Sequence, residues 1–497
     1  MLDATLRMAD GELPHLDFMT PIGILGFAPV AAVLSLGFPV GRATLLADAG
    51  MLALMLPAIW WLATTRLSRG QAYYFGAVMV ATMMAVVYGN GSPSISLSMY
   101  YNRWGWSLSF LILVTILFAP KRRLGESWVA PLIIGLSMAA LAMLKMTFFV
   151  PLLLAVPVVL LVQKKGALLL KAAGVGLVIG LALLGWLGLD FFVAYVDNLL
   201  AVMRPESSRM NAGASLTDVM ASPHTFVVSI ILFATLLLFR KTGREQQGLI
   251  VLILAPAFAY ITYQNWGNDH KWLHIIVLYV WANLPDAEEK PALGMPARQA
   301  GLALIVAALT FVFPSVYALA VSPLRVAFEG SSAEFAQLPL RGGVSDIWLP
   351  ERRVSDVVVV HAAEGWPTLT PDSEPVIVNG FTFPDCKQNN TAMGQYAGMA
   401  AQIEALDFAR GRPVLVADVL NSLPLMGDIA RVHGAAPWYY GDEAGLAAAA
   451  FLAVPMCPLK VELREAMLSR VHAGGYGLEE RYRSELMVLY AVTKPAE

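Results

Sequence analysis

Four short stretches put ionisable and amide side chains beside long apolar runs, where such groups are costly and are kept mostly where they bind or react. Gly11–Phe18 reads GELPHLDF. Its His15 could contact a substrate, and the carboxylate of Asp17 could take a proton from a hydroxyl group or cap a helix by accepting backbone N–H groups. Ser98–Trp106 reads SMYYNRWGW, with Tyr101, Asn102 and Arg103 at its centre. A guanidinium grips phosphate oxygens in pairs, although the same string also suits an aromatic belt at headgroup depth with an arginine reaching for water. Lys145 interrupts the apolar run LKMTFF of Leu144–Phe149, either as a ligand for an anion near the membrane surface or as a lysine snorkelling outward from a helix end. Gln264–Trp272 reads QNWGNDHKW. There Gln264, Asn265, Asp269 and Lys271 could bond sugar hydroxyls while Trp266 or Trp272 stacks on a ring face, and an ordinary solvated turn is the plainer alternative. His270 has no second and third ligand nearby, so a zinc site is not expected.

These groups need a scaffold, and the composition names its type. Of 497 residues 57% are hydrophobic and 14% charged, against roughly 25% charged in ordinary soluble proteins, so a polytopic α-helical membrane protein is expected. The formal net charge of -2 leaves no basic excess to attract nucleic acid. Ten apolar segments are candidate spans, at 44–64, 71–88, 105–119, 130–148, 150–162, 167–189, 224–239, 247–263, 273–284 and 300–322. The fifth and ninth are short and could be re-entrant, and only Pro151 marks the break between the fourth and fifth. Arg66, Arg69, Lys121 to Arg123, Lys164, Lys165, Lys171, Arg240, Lys241, Arg244, Lys290 and Arg298 then all fall on one side, which the positive-inside rule makes cytoplasmic. The four polar stretches fall on the other, extracytoplasmic side of an inner (plasma) membrane. Residues 22–38 are expected as an interfacial or re-entrant helix between Pro21 and Pro39, with 1–43 a first extracytoplasmic unit and 44–322 the bundle.

Beyond the bundle, 323–497 holds 21 of the chain's 36 acidic residues and 14 of its 34 basic ones, which reads as a soluble extracytoplasmic domain. The runs Val357–Val360, Pro375–Val378 and Pro413–Ala417 are short, β-branched and bounded by turn residues, while Asn390–Phe408 and Glu462–Val471 have helical spacing. An α/β domain is expected. The two cysteines, Cys386 and Cys457, both lie in it; they could form a disulfide or remain two buried thiols. No nucleophile elbow, His-Glu-x-x-His string or phosphate-binding glycine loop is present, so the common hydrolase, zinc protease and nucleotide-binding classes are not expected.

The first stretch also carries a resemblance. GELPHLDF, followed by TPIG at Thr20–Gly23 and an apolar run, resembles the first extracytoplasmic loop of the GT-C membrane glycosyltransferases. The similarity is to the polyprenyl-phosphate-sugar dependent branch, which includes protein O-mannosyltransferases and lipid A aminoarabinose transferases. In that superfamily the loop follows the first transmembrane helix and carries an acidic pair well before the glycine that aligns with Gly11. The resemblance thus implies that this helix and pair are missing ahead of Met1, with Asp17 left as the second acid of the loop. It implies a sugar passed from a polyprenyl-phosphate donor to an extracytoplasmic glycolipid, polysaccharide or protein. Asp17 would act on the acceptor, Arg103 and Lys145 on the lipid phosphate, and a divalent metal ion could assist. A flippase or transporter for a lipid-linked glycan and a non-catalytic envelope assembly protein are the rivals.

Overall fold

The computed structural model describes residues 1–87, 91, 95–121, 128–204, 216–265, 270–286, 291–292, 294–328, 334–341, 345–351, 354, 359–361, 377–388, 392–440 and 444–494. The chain opens with α1 (Leu2–Ala9), a single 3-10 turn at Ile24–Gly26 and the short helix α2 (Ala28–Ser35). The apolar segments follow as α3 (Val40–Thr65), α4 (Arg69–Met84), α5 (Tyr100–Leu117), α6 (Val129–Leu144), α7 (Met146–Val162) and α8 (Gly166–Leu187). After α9 (Leu189–Met203) and α10 (Leu216–Ala221) come α11 (Pro223–Lys241), α12 (Glu245–Gln264), α13 (Leu273–Ala282) and α14 (Ala297–Phe328).

Every one of the ten apolar segments contains a helix, and five of them, α3, α8, α11, α12 and α14, are long and apolar enough to cross a membrane. The others are shorter or more polar. Local chemistry sets several ends: Ser68 and Gln71 form a reciprocal capping box at the start of α4, satisfying N–H groups that the first turn leaves unpaired. The fourth and fifth segments part at Lys145, whose extended backbone separates α6 from α7, and Pro151 lies inside α7. As the sixth residue of α7, Pro151 is carried inside the helix at the loss of one i→i−4 bond. α14 runs on to Phe328, six residues past the expected end of the bundle.

α5 is the axis of the bundle, buried along its whole length. α8 is its opposite, with Ala172 alone buried, an apolar surface suited to lipid. Gly105 lets α5 approach α7 closely, since a β-carbon there would press on the Phe148 ring.

The C-terminal residues form a sheet region. β1 (Phe335–Gln337) pairs with β2 (Trp348–Pro350), β3 (Val359–His361) with β6 (Cys386–Gln388), and β4 (Ile377–Val378) with β5 (Phe381–Thr382), all antiparallel. α15 (Ala392–Glu404) and α16 (Val461–Ala473) flank a four-stranded sheet in the order β7 (Val414–Val416), β8 (Phe451–Pro455), β10 (Met487–Thr493), β9 (Gly477–Arg483). β7 and β8 run parallel and the other pairs antiparallel. Alternation divides the core: Val414, Val416, Ala453 and Leu489 pack on Tyr396, Met399 and Ile403 of α15, while Leu415, Leu452, Val454 and Tyr490 pack on Leu463 and Met467 of α16. A strand pair covered on both faces reads as a continuous apolar run, as β8 does. Cys386 and Cys457 are joined in a disulfide.

Candidate functional site

The first loop is built as a strap. Arg7, fully buried, bonds Asp3 at 2.9 Å and Glu12 at 3.1 Å, closing α1 onto the turn that follows. His15 adopts a left-handed φ of 73° and wedges its ring against Tyr195 and Phe191 of α9, with centroids 4.3 Å and 5.1 Å away. Burial pushes its imidazole down to about 4. Thr20 N–H donates to Asn198 Oδ1 at 2.8 Å, so α9 holds the strap at two points. Gly23 N–H then donates to the Leu144 carbonyl at 3.0 Å, and Ile22 bridges to Lys145. The strap ends against the break between α6 and α7. A β-carbon on Gly23 would collide with the Met143 carbonyl, which is why the TPIG string ends in glycine.

At that break Lys145 turns its ammonium inward. Nζ donates to Asn102 Oδ1 at 3.1 Å and to Asn265 Oδ1 at 2.6 Å, and lies 5.1 Å from the centre of the Tyr101 ring. Asn265 is fixed in turn by donating its own Nδ2 to the Ile261 carbonyl at 2.7 Å and to Thr147 Oγ1 at 3.4 Å, which leaves its oxygen for the lysine. Lys145 takes part in none of the ion pairs among the described residues. An ammonium has three donors; two are spent on neutral amides, and the residue as a whole is half-buried. The second and fourth polar stretches and the lysine break therefore meet at one point, with Tyr101, Asn102, Lys145 and Asn265 brought together.

Arg103 does something different from what the sequence implies. Residues 100–104 form the buried first turn of α5 and not a loop, Met99 turning the chain into it with a left-handed φ of 67°. The Arg103 guanidinium donates to the Val87 carbonyl at 3.0 Å and pairs with Asp48 at 3.5 Å, while the neighbouring Trp104 indole donates to Asp48 Oδ1 at 2.7 Å. Asp48 lies inside α3 and was overlooked in the sequence. The available signal was an acid within an apolar run, which inside a membrane demands a partner.

The remaining expected site residues are placed elsewhere. Asp17 sits where the strap meets the C-terminal region: its Oδ2 accepts the Leu13 N–H at 2.7 Å, its Oδ1 lies 3.9 Å from His433 Nδ1, and its carbonyl accepts the Gly434 N–H at 2.8 Å. It caps the preceding turn instead of the following helix, and none of its hydrogen bonds reaches Lys145. Close by, Arg431 pairs with Asp10 at 2.8 Å and Glu12 at 3.1 Å. Gln264 ends α12 half-buried. Lys271 is buried with interactions of its own, as His270 also has. Asp269 and Trp266 lie outside the described residues. Among the described residues no group of three His, Cys, Asp or Glu side chains comes together to hold a metal.

No protein-family model, curated protein or solved structure matches the chain.

Proposed function

We propose that this chain is a membrane glycosyltransferase of the GT-C type, moving a sugar from a polyprenyl-phosphate donor to an acceptor outside the cytoplasm. The observation that carries the reading is Lys145: an ammonium held by Asn102, Asn265 and the Tyr101 face, with no carboxylate partner among the described residues. A lipid-linked phosphate is an anion of the kind such a cation would bind. The disulfide between Cys386 and Cys457 supports a C-terminal domain on the oxidising side of the membrane.

In the reaction, the acceptor oxygen bonds to the anomeric carbon as the bond from that carbon to the phosphate oxygen breaks. The phosphate leaves with one more negative charge, which Lys145 offsets as it develops. The acceptor's proton passes to a carboxylate acting as base, the role that the loop's resemblance gives to Asp17, about one-third exposed where strap and C-terminal region meet. Arg103 is withdrawn from direct phosphate binding by its pairing with Asp48.

The test is a turnover assay on the full chain in lipid nanodiscs, supplied with polyprenyl-phosphate mannose, glucose and aminoarabinose together with extracted envelope glycans. Release of free polyprenyl phosphate is the expected result, with Asp17→Asn slowing it by about 10²–10⁴ and leaving donor binding intact. Movement of intact donor across a vesicle membrane without cleavage would instead mark a flippase, and neither cleavage nor movement would favour an assembly protein.

A further inference from the structure

Two cations belong to this part of the bundle, and they are treated differently. Lys145 is met only by neutral groups among the described residues. Arg103, one residue after the Asn102 that holds Lys145, is buried against Asp48, with the pair at 1% and 2% side-chain exposure. Taking two charges out of water costs more than an isolated attraction returns unless hydrogen bonds complete the geometry. Here the Trp104 indole and the Val87 carbonyl help, yet Arg103 Nε remains buried without a partner. A plain apolar pair would pack α3 against α5 with less difficulty, so the ion pair calls for a role in charge, not in packing.

We infer that Asp48 determines which lipid phosphates the Lys145 site accepts, by cancelling the charge of Arg103 and leaving Lys145 to act alone. The inference rests on the reading of Lys145 as a donor-phosphate ligand. With Arg103 cancelled, the α5 side of the site favours a phosphate of low charge; with Arg103 exposed, it would attract a diphosphate more strongly. If the separation is on the order of 10 Å at an effective dielectric near 20, one added charge changes binding by roughly tenfold for each unit of ligand charge, and by less at longer range. Asp48 thus acts through Arg103 and touches no substrate itself.

The experiment uses the full chain in nanodiscs of neutral phosphatidylcholine, titrated with farnesyl phosphate and farnesyl diphosphate, and reads the ratio of their affinities. Asp48→Asn keeps an oxygen for the Trp104 indole and removes the negative charge, so the ratio should shift toward the diphosphate by roughly tenfold. Arg103→Gln leaves Asp48 uncancelled and should shift it the other way, which keeps the test alive if the first variant fails to fold. The double variant D48N/R103Q should restore the wild-type ratio within about twofold. A structural role alone would weaken both ligands equally, and an unchanged ratio in both single variants overturns the inference. If wild type binds neither ligand, or K145Q binds both as wild type does, the reading of Lys145 fails first and takes this inference with it.

Discussion

An imidazole sealed between aromatic rings is hard to charge, and His15 makes that measurable. Unfolded it titrates near 6.5 and folded at about 4, so between those values the unfolded chain holds a proton that the folded chain refuses. Stability therefore falls as pH drops from about 6.5 toward 4, by up to about 3 kcal/mol, and this group contributes no pH dependence above that window. His15→Asn, which tolerates the left-handed backbone, should abolish this slope in chemical denaturation measured from pH 7 to 4, whatever it does to the baseline; an unchanged slope would place the titrating group elsewhere. Residue chemistry was legible where a polar type stood in apolar surroundings, as for Lys145 and Asn265. It was less legible where meaning depends on a distant partner. Asp17 meets His433 and Gly434 more than 400 residues away, and the buried pairing of Arg103 needs Asp48 from another helix.

At the scale of elements, two junctions hold the site in place. Asp346 reaches from the C-terminal region to the start of α3, accepting the N–H groups of Gly41 at 2.6 Å and Arg42 at 2.8 Å, and a carboxylate at a helix N-terminus meets both unpaired donors and the positive end of the dipole. Asp346→Ala should cost about 1 kcal/mol and speed hydrogen exchange in the first turn of α3; unaltered exchange there would contradict the capping role. The second junction is the strap on the α6–α7 break, where Gly23→Ala forces a β-carbon against the Met143 carbonyl. Overpacking of this kind costs about 1–3 kcal/mol, and it should weaken Lys145-dependent phosphate binding, whereas equal binding by the variant would separate the strap from the site. The ten helices were readable because apolar runs and breakers mark them. The break falls at Lys145 and not at Pro151, the stronger punctuation in sequence, because α7 carries that proline inside its helix.

For the whole molecule, the strap is the piece shared by bundle and C-terminal region. Arg431 holds it through Asp10 and Glu12, and Phe18 bridges to Gly434. These ion pairs are partly exposed, with Asp10 at 63%, so Arg431→Ala should change stability by under about 1 kcal/mol while raising hydrogen exchange across residues 13–18; a large loss of stability would mean a tighter interface than the geometry allows. Composition pointed to the membrane class, and the short β-branched run Pro413–Ala417 contains β7, buried on both faces, whereas β8 was not read from the sequence. How the two regions meet was hidden, because the contacts, side chains such as Arg431 and a backbone bridge from Phe18 to Gly434, join residues from opposite ends of the chain. The central claim is that Lys145 receives a lipid phosphate. The most direct measurement is the affinity of the full chain for polyprenyl phosphate in neutral nanodiscs, wild type against Lys145→Gln. The account expects binding by wild type and a loss of about 10- to 100-fold in the variant, the worth of a charge-assisted hydrogen bond; equal affinities would contradict it.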